Sequence, residues 1–172
     1  MGSEMCIRDR SFFLGKYEHP DGGKLTFAPS IPGHVENRQL TNNSLNIMAG
    51  CFLACTPGVN IKAKFGGFKA LFSGEGAFLL EASGNGELFF NSFGGIVEKQ
   101  INGEFIVDTG HVVAFDPSLD YKITGMGSFK STMLSGEGLV MNFRGQGKVL
   151  VQSHDPSRLG GVLGPMLPPR EG

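Results

Sequence analysis

Hydrophobic and polar residues alternate over several short stretches of this chain. Residues 59–65 read Val-Asn-Ile-Lys-Ala-Lys-Phe, and residues 119–124 read Leu-Asp-Tyr-Lys-Ile-Thr. Successive side chains of a β-strand point to opposite faces, so a period of two is typical of a strand with one buried face. Two shorter apolar runs, 96–97 and 105–107, predict additional strands.

Glycine-rich sites separate the members of three pairs of apolar runs. The three sites of this kind are Gly84-Asn85-Gly86, Gly145-Gln146-Gly147 and, with a longer connection, Gly22-Gly23. The flanking apolar runs are 77–80 and 88–90, 139–143 and 149–151, and 12–14 and 25–27. Because glycine adopts positive φ without steric cost, these sites predict the turns of β-hairpins. Repeated antiparallel hairpins predict an all-β fold, either a sandwich or a barrel of short antiparallel strands.

The sequence Ser-Gly-Glu-Gly occurs twice, 62 positions apart (135 − 73). Its residues are Ser73, Gly74, Glu75 and Gly76 in one copy and Ser135, Gly136, Glu137 and Gly138 in the other. Upstream, Gly50, Ala54, Pro57 and Lys62 match Gly110, Ala114, Pro117 and Lys122 at a constant offset of 60 (110 − 50). Self-similarity at a fixed spacing indicates an internal repeat. We interpret both motifs as structural turns, since they match neither a nucleophile elbow nor a phosphate-binding loop.

The repeat divides the chain into four segments. Residues 1–10 have no period of either kind and resemble a translated sequencing adapter, so we expect a disordered, non-native leader there. Residues 11–76 are expected to form a first β repeat that is truncated upstream. Residues 77–153 are expected to form a second β repeat with a closing hairpin, and residues 154–172 a C-terminal tail with a short helix.

Apolar residues at helical spacing mark the C-terminal tail. They are Leu159, Val162, Leu163, Met166 and Leu167. Asp155 is a suitable N-cap and Pro156 a suitable first helical residue, whereas internal glycines weaken the helix and Pro165 ends it. We expect one or two turns whose apolar stripe covers the domain's own sheet. Association of the tail with a membrane or a partner is the alternative.

The residues that carry a family resemblance are 107–116, Val-Asp-Thr-Gly-His-Val-Val-Ala-Phe-Asp, followed by 131–140 and 147–153. Through them, the chain from Ser11 onward resembles bacterial members of the altered inheritance of mitochondria (number twenty-four) family. The resemblance implies a fold similar to that of the tryptophan RNA-binding attenuator, a compact relative of the double-stranded β-helix, with pseudo-repeats and homo-oligomers. It implies no catalytic residues, and the family pattern has roughly one more repeat upstream than this sequence.

The composition argues against a nucleic-acid-binding surface. Charged residues make up 18% of the chain and the formal net charge is -1, whereas proteins that neutralise phosphates usually have a basic excess. Lysines nevertheless recur at equivalent places, so a ring of copies that binds nucleic acid stays open as an alternative. These are Lys62, Lys64, Lys69, Lys122 and Lys130. No apolar run approaches the ~18 residues of a membrane-spanning helix, so we expect a protein of the bacterial cytoplasm.

One motif resembles part of a known catalytic site, and the histidines and cysteines are candidate metal ligands. Asp108-Thr109-Gly110 is similar to half of an aspartic-protease site, which needs two carboxylates that share a proton. The matching positions 48–50 read Met-Ala-Gly and hold no acid, so we expect Asp108 and Gly110 to form a structural turn. Cys51 and Cys55, four residues apart on a strand, would lie ~13 Å apart, so we expect two buried thiols there rather than a disulfide. The histidines are scattered, so we expect no metal and no cofactor.

We expect a non-enzymatic oligomeric scaffold or interaction protein whose partners include further copies of itself. The reason is a repeated geometry without a convergent set of catalytic residues. A nucleic-acid-binding ring, suggested by analogy of fold alone, is the first alternative. A cupin-like enzyme that acts on a small molecule is the second.

Overall fold

Ten antiparallel β-strands make up most of the described part of the protein. The computed structural model describes residues 3–8, 14–65, 78–125 and 139–168. The strands are β1 (Ser3–Arg8), β2 (Leu14–His19), β3 (Val35–Met48), β4 (Phe52–Cys55), β5 (Val59–Phe65), β6 (Phe78–Asn91), β7 (Ile96–Asp108), β8 (Val112–Phe115), β9 (Asp120–Gly125) and β10 (Leu139–Gln152). Helix α1 (Pro156–Leu163) and the 3-10 turns Thr109–His111 and Gly164–Met166 complete the described elements. The prediction of an all-β fold with a short C-terminal helix is confirmed.

Two sets of four strands have the same pairing pattern. In the first set, β6 pairs with β3 along one edge and with β4 and then β5 along the other. In the second set, β10 pairs in the same way with β7, and with β8 and then β9. A short pairing of β3 with β8 joins the two sets, and β1 pairs with both β2 and β4. The expected boundary between the two repeats, at residue 76, therefore falls between β5 and β6. In the structure these two strands pair with each other.

Two clusters of buried side chains form the core, and each draws on both strand sets. The first combines Ile47 and Phe90 of the first set with Leu150 of the second. The second combines Phe143 of the second set with Leu79 of the first. The sets therefore share a core, and burial of these side chains favours folding of the two sets together.

The glycine-rich sites are not hairpin turns. β6 continues through Gly84 and β10 continues through Gly145, with φ values of 121° and 119° that favour glycine. The chain that pairs along the other edge of β6 is interrupted at the same point, between β4 and β5. There the backbone N of Thr56 donates to Glu87 O at 2.9 Å. We interpret each site as a corner that a long strand passes without reversing. The hairpin prediction was wrong because positive φ serves a corner as well as a turn.

The N-terminal region differs from expectation in two places. Residues Ser3–Arg8 form β1, so the leader is not disordered over this stretch, while its non-native origin stays a prediction. Residues 25–27 do not form a strand. All of β1 pairs with Leu14–His19, which leaves residues 25–27 without a partner strand in the described part of the chain. The Phe27 ring instead packs edge-on against Phe89, with ring centroids 5.1 Å apart.

Candidate functional site

A charged cleft lies between β3 and the N-terminal half of β7. It has a volume of about 340 Å³ and is lined by His34, Glu36, Arg38, Gly95, Ile96, Glu98 and Leu150. Strand alternation places Glu36 and Arg38 on one face of β3, where both are half-buried. The cleft is the candidate binding site that the strand sets form between them.

The charged groups of the cleft are paired with one another. Arg38 Nη2 lies 3.4 Å from Glu36 Oε1 and 3.5 Å from Glu98 Oε2. Lys148 Nζ lies 2.7 Å from Glu98 Oε1, and His34 Nε2 lies 3.2 Å from Glu36 Oε2. The hydrogen bond from Lys148 is the main reason that the pKa of Glu98 lies below its ordinary value. The cleft therefore holds an ion-pair network rather than an isolated charge aimed at its centre.

This network differs from a catalytic acid pair. A carboxyl group that donates a proton near neutral pH needs a raised pKa, whereas the pKa of Glu98 is lowered. Among the described residues, no three His, Cys, Asp or Glu side chains are grouped so that they could hold a metal ion. The ion pairs of the cleft connect β3, β7 and β10.

Asp108 forms a turn and anchors the C-terminal helix. Its Oδ1 accepts a hydrogen bond from Gly110 N at 2.9 Å, and its Oδ2 lies 3.2 Å from Arg158 Nη2. Both carboxylate oxygens therefore have partners. The end of β3 that matches this position holds Met48, so the repeat-related position supplies no second acid for an aspartic-protease pair.

Helix α1 begins where the sequence predicted, but its apolar stripe faces outward. Asp155 is the N-cap, its Oδ1 accepting from Ser157 N at 2.8 Å, and Pro156 is the first helical residue. The large apolar residues of α1 and of the segment just after it are exposed: Leu159, Val162, Leu163, Met166 and Leu167. No residue of α1 is buried, so the predicted lid over the sheet is wrong. The N-cap and Arg158 fix only the start of the helix, and nothing draws its apolar stripe onto the core.

The remaining predicted site residues lie partly outside the described ranges. Both Ser-Gly-Glu-Gly motifs, with Lys69 and Lys130, lie outside the described residues. Lys64 Nζ lies 2.7 Å from Glu81 Oε2 and also donates to Asn46 Oδ1. Lys62 and Lys122 are exposed at matching positions of β5 and β9. His111 Nδ1 lies 2.9 Å from Gln152 O, a contact that ties the turn before β8 to β10.

Sequence analysis missed Ile106, an apolar residue on β7 that is 57% exposed. The residue in the matching position of β3 is Asn46, which is buried. A comparison of the two strands at the offset of 60 residues would have shown an isoleucine in place of an asparagine. Exposure itself could not be inferred from that comparison, because it depends on which strand lies alongside.

No helix in the described ranges has both the length and the apolar composition needed to cross a membrane.

Comparison with known proteins gives one family and two bacterial relatives. The family described as Mitochondrial biogenesis AIM24 matches residues 1–154. An uncharacterized protein of Streptococcus pyogenes serotype M6 is 33% identical over 165 residues, covering 94% of this chain and 66% of that protein. An X-ray structure of a Streptococcus pyogenes protein, a structural genomics target, superposes with a TM-score of 0.72 at 32% identity. The match covers 81% of this chain and 63% of that one, so this chain spans somewhat less than two thirds of either relative.

Proposed function

This chain belongs to the Mitochondrial biogenesis AIM24 family, and from that premise we propose that it is a non-enzymatic scaffold protein that assembles with further copies of itself. The family match over residues 1–154 confirms the resemblance, which was expected from Ser11 onward, as far as residue 154. The relatives bring no molecular activity with them, since the curated one is itself uncharacterized. The proposal therefore depends on the surface of this molecule.

The observation that carries the proposal is the outward apolar stripe of α1 and the 3-10 turn that follows it. Val162 and Met166 are 60% and 75% exposed. An amphipathic helix of a globular protein normally turns such a stripe toward its own core. An apolar surface held in water on a capped helix is typical of a site that another protein covers.

The charged cleft supports a structural role for the site between the strand sets. Its acidic and basic side chains neutralise one another over 2.7–3.5 Å, as the Lys148–Glu98 and Arg38–Glu98 distances show. A substrate would have to replace these ion pairs with contacts of its own, which costs binding energy. Binding of another protein through the apolar surface is therefore more favourable than binding of a substrate in the cleft.

Sedimentation velocity over a wide range of protein concentration tests the proposal. We expect oligomers whose population rises with concentration, and weaker association in Leu163→Glu, because a carboxylate in the apolar stripe must be desolvated on assembly. Leu25→Glu is the matched control, since Leu25 is exposed to a similar degree (43% against 45% for Leu163) but lies far from α1 in sequence. A chain that stays monomeric at every concentration contradicts the proposed function.

A second measurement on the same protein tests the alternative function, a nucleic-acid-binding ring. Binding of single-stranded RNA at low salt, lost in a Lys62→Ala and Lys122→Ala double variant, would favour a nucleic-acid-binding ring over the scaffold. We expect no such binding, because the formal net charge is -1 and Lys64 is already paired with Glu81.

A further inference from the structure

The C-terminal half of β7 has an edge that no described strand covers. β7 pairs with β10 from Ile96 to Asp108, and it is the last strand in the order of the sheet. At this edge Ile106 is 57% exposed. Exposed edges with apolar side chains are sites where another strand adds to a sheet.

The corresponding edge of β3 is covered. Asn46 of β3 lies opposite Glu81 of β6, and Ile106 of β7 lies opposite Asn142 at the matching position of β10. On β3, β8 pairs with this edge, so that Asn46 and Ile47 are 3% and 0% exposed. Residues 106–107 of β7 thus stand where residues 46–47 of β3 are buried by a neighbouring strand.

The same kind of pairing occurs a second time at the other end of the sheet. Residues 6–7 of β1 pair antiparallel with residues 54–55 of β4, as residues 46–47 of β3 pair with residues 114–115 of β8. The covering strands, β4 and β8, are four residues long and buried at every position. The strand that fits the edge of β7 is therefore short, apolar and antiparallel.

We propose that the edge of β7 at residues 105–108 pairs with β4 of a second copy of this chain, in the place that β1 occupies within one copy. This inference rests on the proposed function and adds a second contact, beside the apolar stripe of α1, through which the scaffold assembles. Ile106 would then lie opposite Cys55 of the second copy, and Val107 opposite Ala54. The register follows from the pairs Cys6–Cys55 and Ile7–Ala54.

β4 is the strand that a second copy can offer. β8 is held on both edges, by β10 and by β3, in the interior of the sheet. One edge of β4 is held by β6, whereas the other, among the strands that the structure describes, pairs with two residues of β1. The partner of β1 in its hairpin, β2, is exposed from Lys16 to His19. Exchange of β1 for β7 replaces one two-residue ladder with an equivalent one and covers an exposed isoleucine, which favours assembly.

Sedimentation velocity of the full chain and two lysine variants tests the proposal. Lysine on an edge strand opposes pairing, so Ile106→Lys should weaken self-association at least about tenfold, or about 1.4 kcal/mol. Val97→Lys is the matched control. Val97 is 52% exposed on the same strand. Among the described strands, the corresponding half of β3 pairs with β6 alone, so association should be unchanged. Equal association of both variants and the unmodified chain would overturn the inference and leave the proposed function intact.

Hydrogen exchange of the unmodified chain gives an independent readout that does not depend on how a variant folds. As concentration rises, amide exchange at residues 105–108 should slow while exchange in β1 becomes faster, because β1 is displaced. Slower exchange on α1 alone would show assembly by a different surface and contradict the exchange of strands.

A peptide separates failure of this inference from failure of the proposed function. A peptide of residues 51–58 should bind the unmodified chain and fail to bind Ile106→Lys. The same peptide with Ala54→Pro should not bind either, since proline removes a ladder hydrogen bond. If the chain is monomeric at every concentration, binding of the peptide still supports the docking edge. Absence of peptide binding then rejects the edge as well.

Discussion

At the scale of single residues, the charged groups of this protein act as links between strands. Glu98 of β7 is bound by Lys148 of β10 and by Arg38 of β3, and so connects the two strand sets. Glu104, further along β7, accepts from Asn142 and Arg144 of β10, and these contacts lower its pKa as well. Lysine positions alone left a nucleic-acid surface open as an alternative, whereas Lys64, one of these lysines, has the carboxylate of Glu81 as its partner in space.

The lowered pKa of Glu98 predicts a small dependence of stability on pH. A carboxyl group whose folded-state pKa lies below its unfolded-state value stabilises the fold above the unfolded value, and this is lost as pH falls through the folded value. Glu98→Gln should therefore lower the free energy of unfolding at neutral pH by a few tenths of a kcal/mol, given the exposure of the pair. In denaturant titrations at several pH values, the difference should vanish in acid.

A double-mutant cycle with Lys148→Met is the control for Glu98→Gln. The effect of Glu98→Gln should be smaller in the Lys148→Met background, because the main hydrogen-bond donor to Glu98 is already gone. An effect of the same size in both backgrounds would show that Lys148 is not the cause of the lowered pKa.

At the scale of elements, the long strands β6 and β10 depend on glycine at their corners. Gly84 has φ of 121°, and a Cβ built on it would clash with the backbone oxygen of Gly58. Strand propensity favours β-branched and aromatic residues and treats glycine as an interruption. The segments flanking Gly84 nevertheless join into one strand because β3 pairs with both of them.

Replacement of Gly84 by alanine should destabilise the protein. A side chain at this φ costs about 1–3 kcal/mol, and the contact with Gly58 requires the backbone between β4 and β5 to move as well. Denaturant unfolding measures the loss. Gly50→Ala is the control, since Gly50 has ordinary φ and open space around its Cα, so its stability should change by less than about 0.5 kcal/mol. Equal effects of the two substitutions on stability would contradict the interpretation of Gly84 as a corner of β6.

At the scale of the whole molecule, the two strand sets behave as one folding unit because their cores interpenetrate. Ile47 of β3 is fully buried beside Ala114 of β8, where the two sets are joined. The second cluster likewise packs Leu79 of β6 among residues of the second set. Neither set could bury its apolar face without the other, which is the usual reason that structural repeats are stable only in combination.

Ile47→Ala should destabilise both strand sets together. Loss of the buried side chain costs about 2–5 kcal/mol through lost burial and the cavity that remains. Native-state hydrogen exchange should show an equal loss of protection in β6 and β10, because the sets unfold in one transition. Val97→Ala, at an exposed position, is the control and should leave both strands unchanged. A loss confined to β6 would show that the sets unfold independently.

What the sequence by itself determined is the local structure that short-range chemistry encodes. Alternation predicted β5 and β9, and the Asp155-Pro156 pair predicted the start of α1, since strand period and helix capping depend on neighbouring residues. The tertiary structure alone decided that β6 and β10 pass their glycines unbroken, that the stripe of α1 faces outward and that Ile106 is exposed. Continuity and burial depend on which segment lies alongside, and residues distant in sequence supply that neighbour.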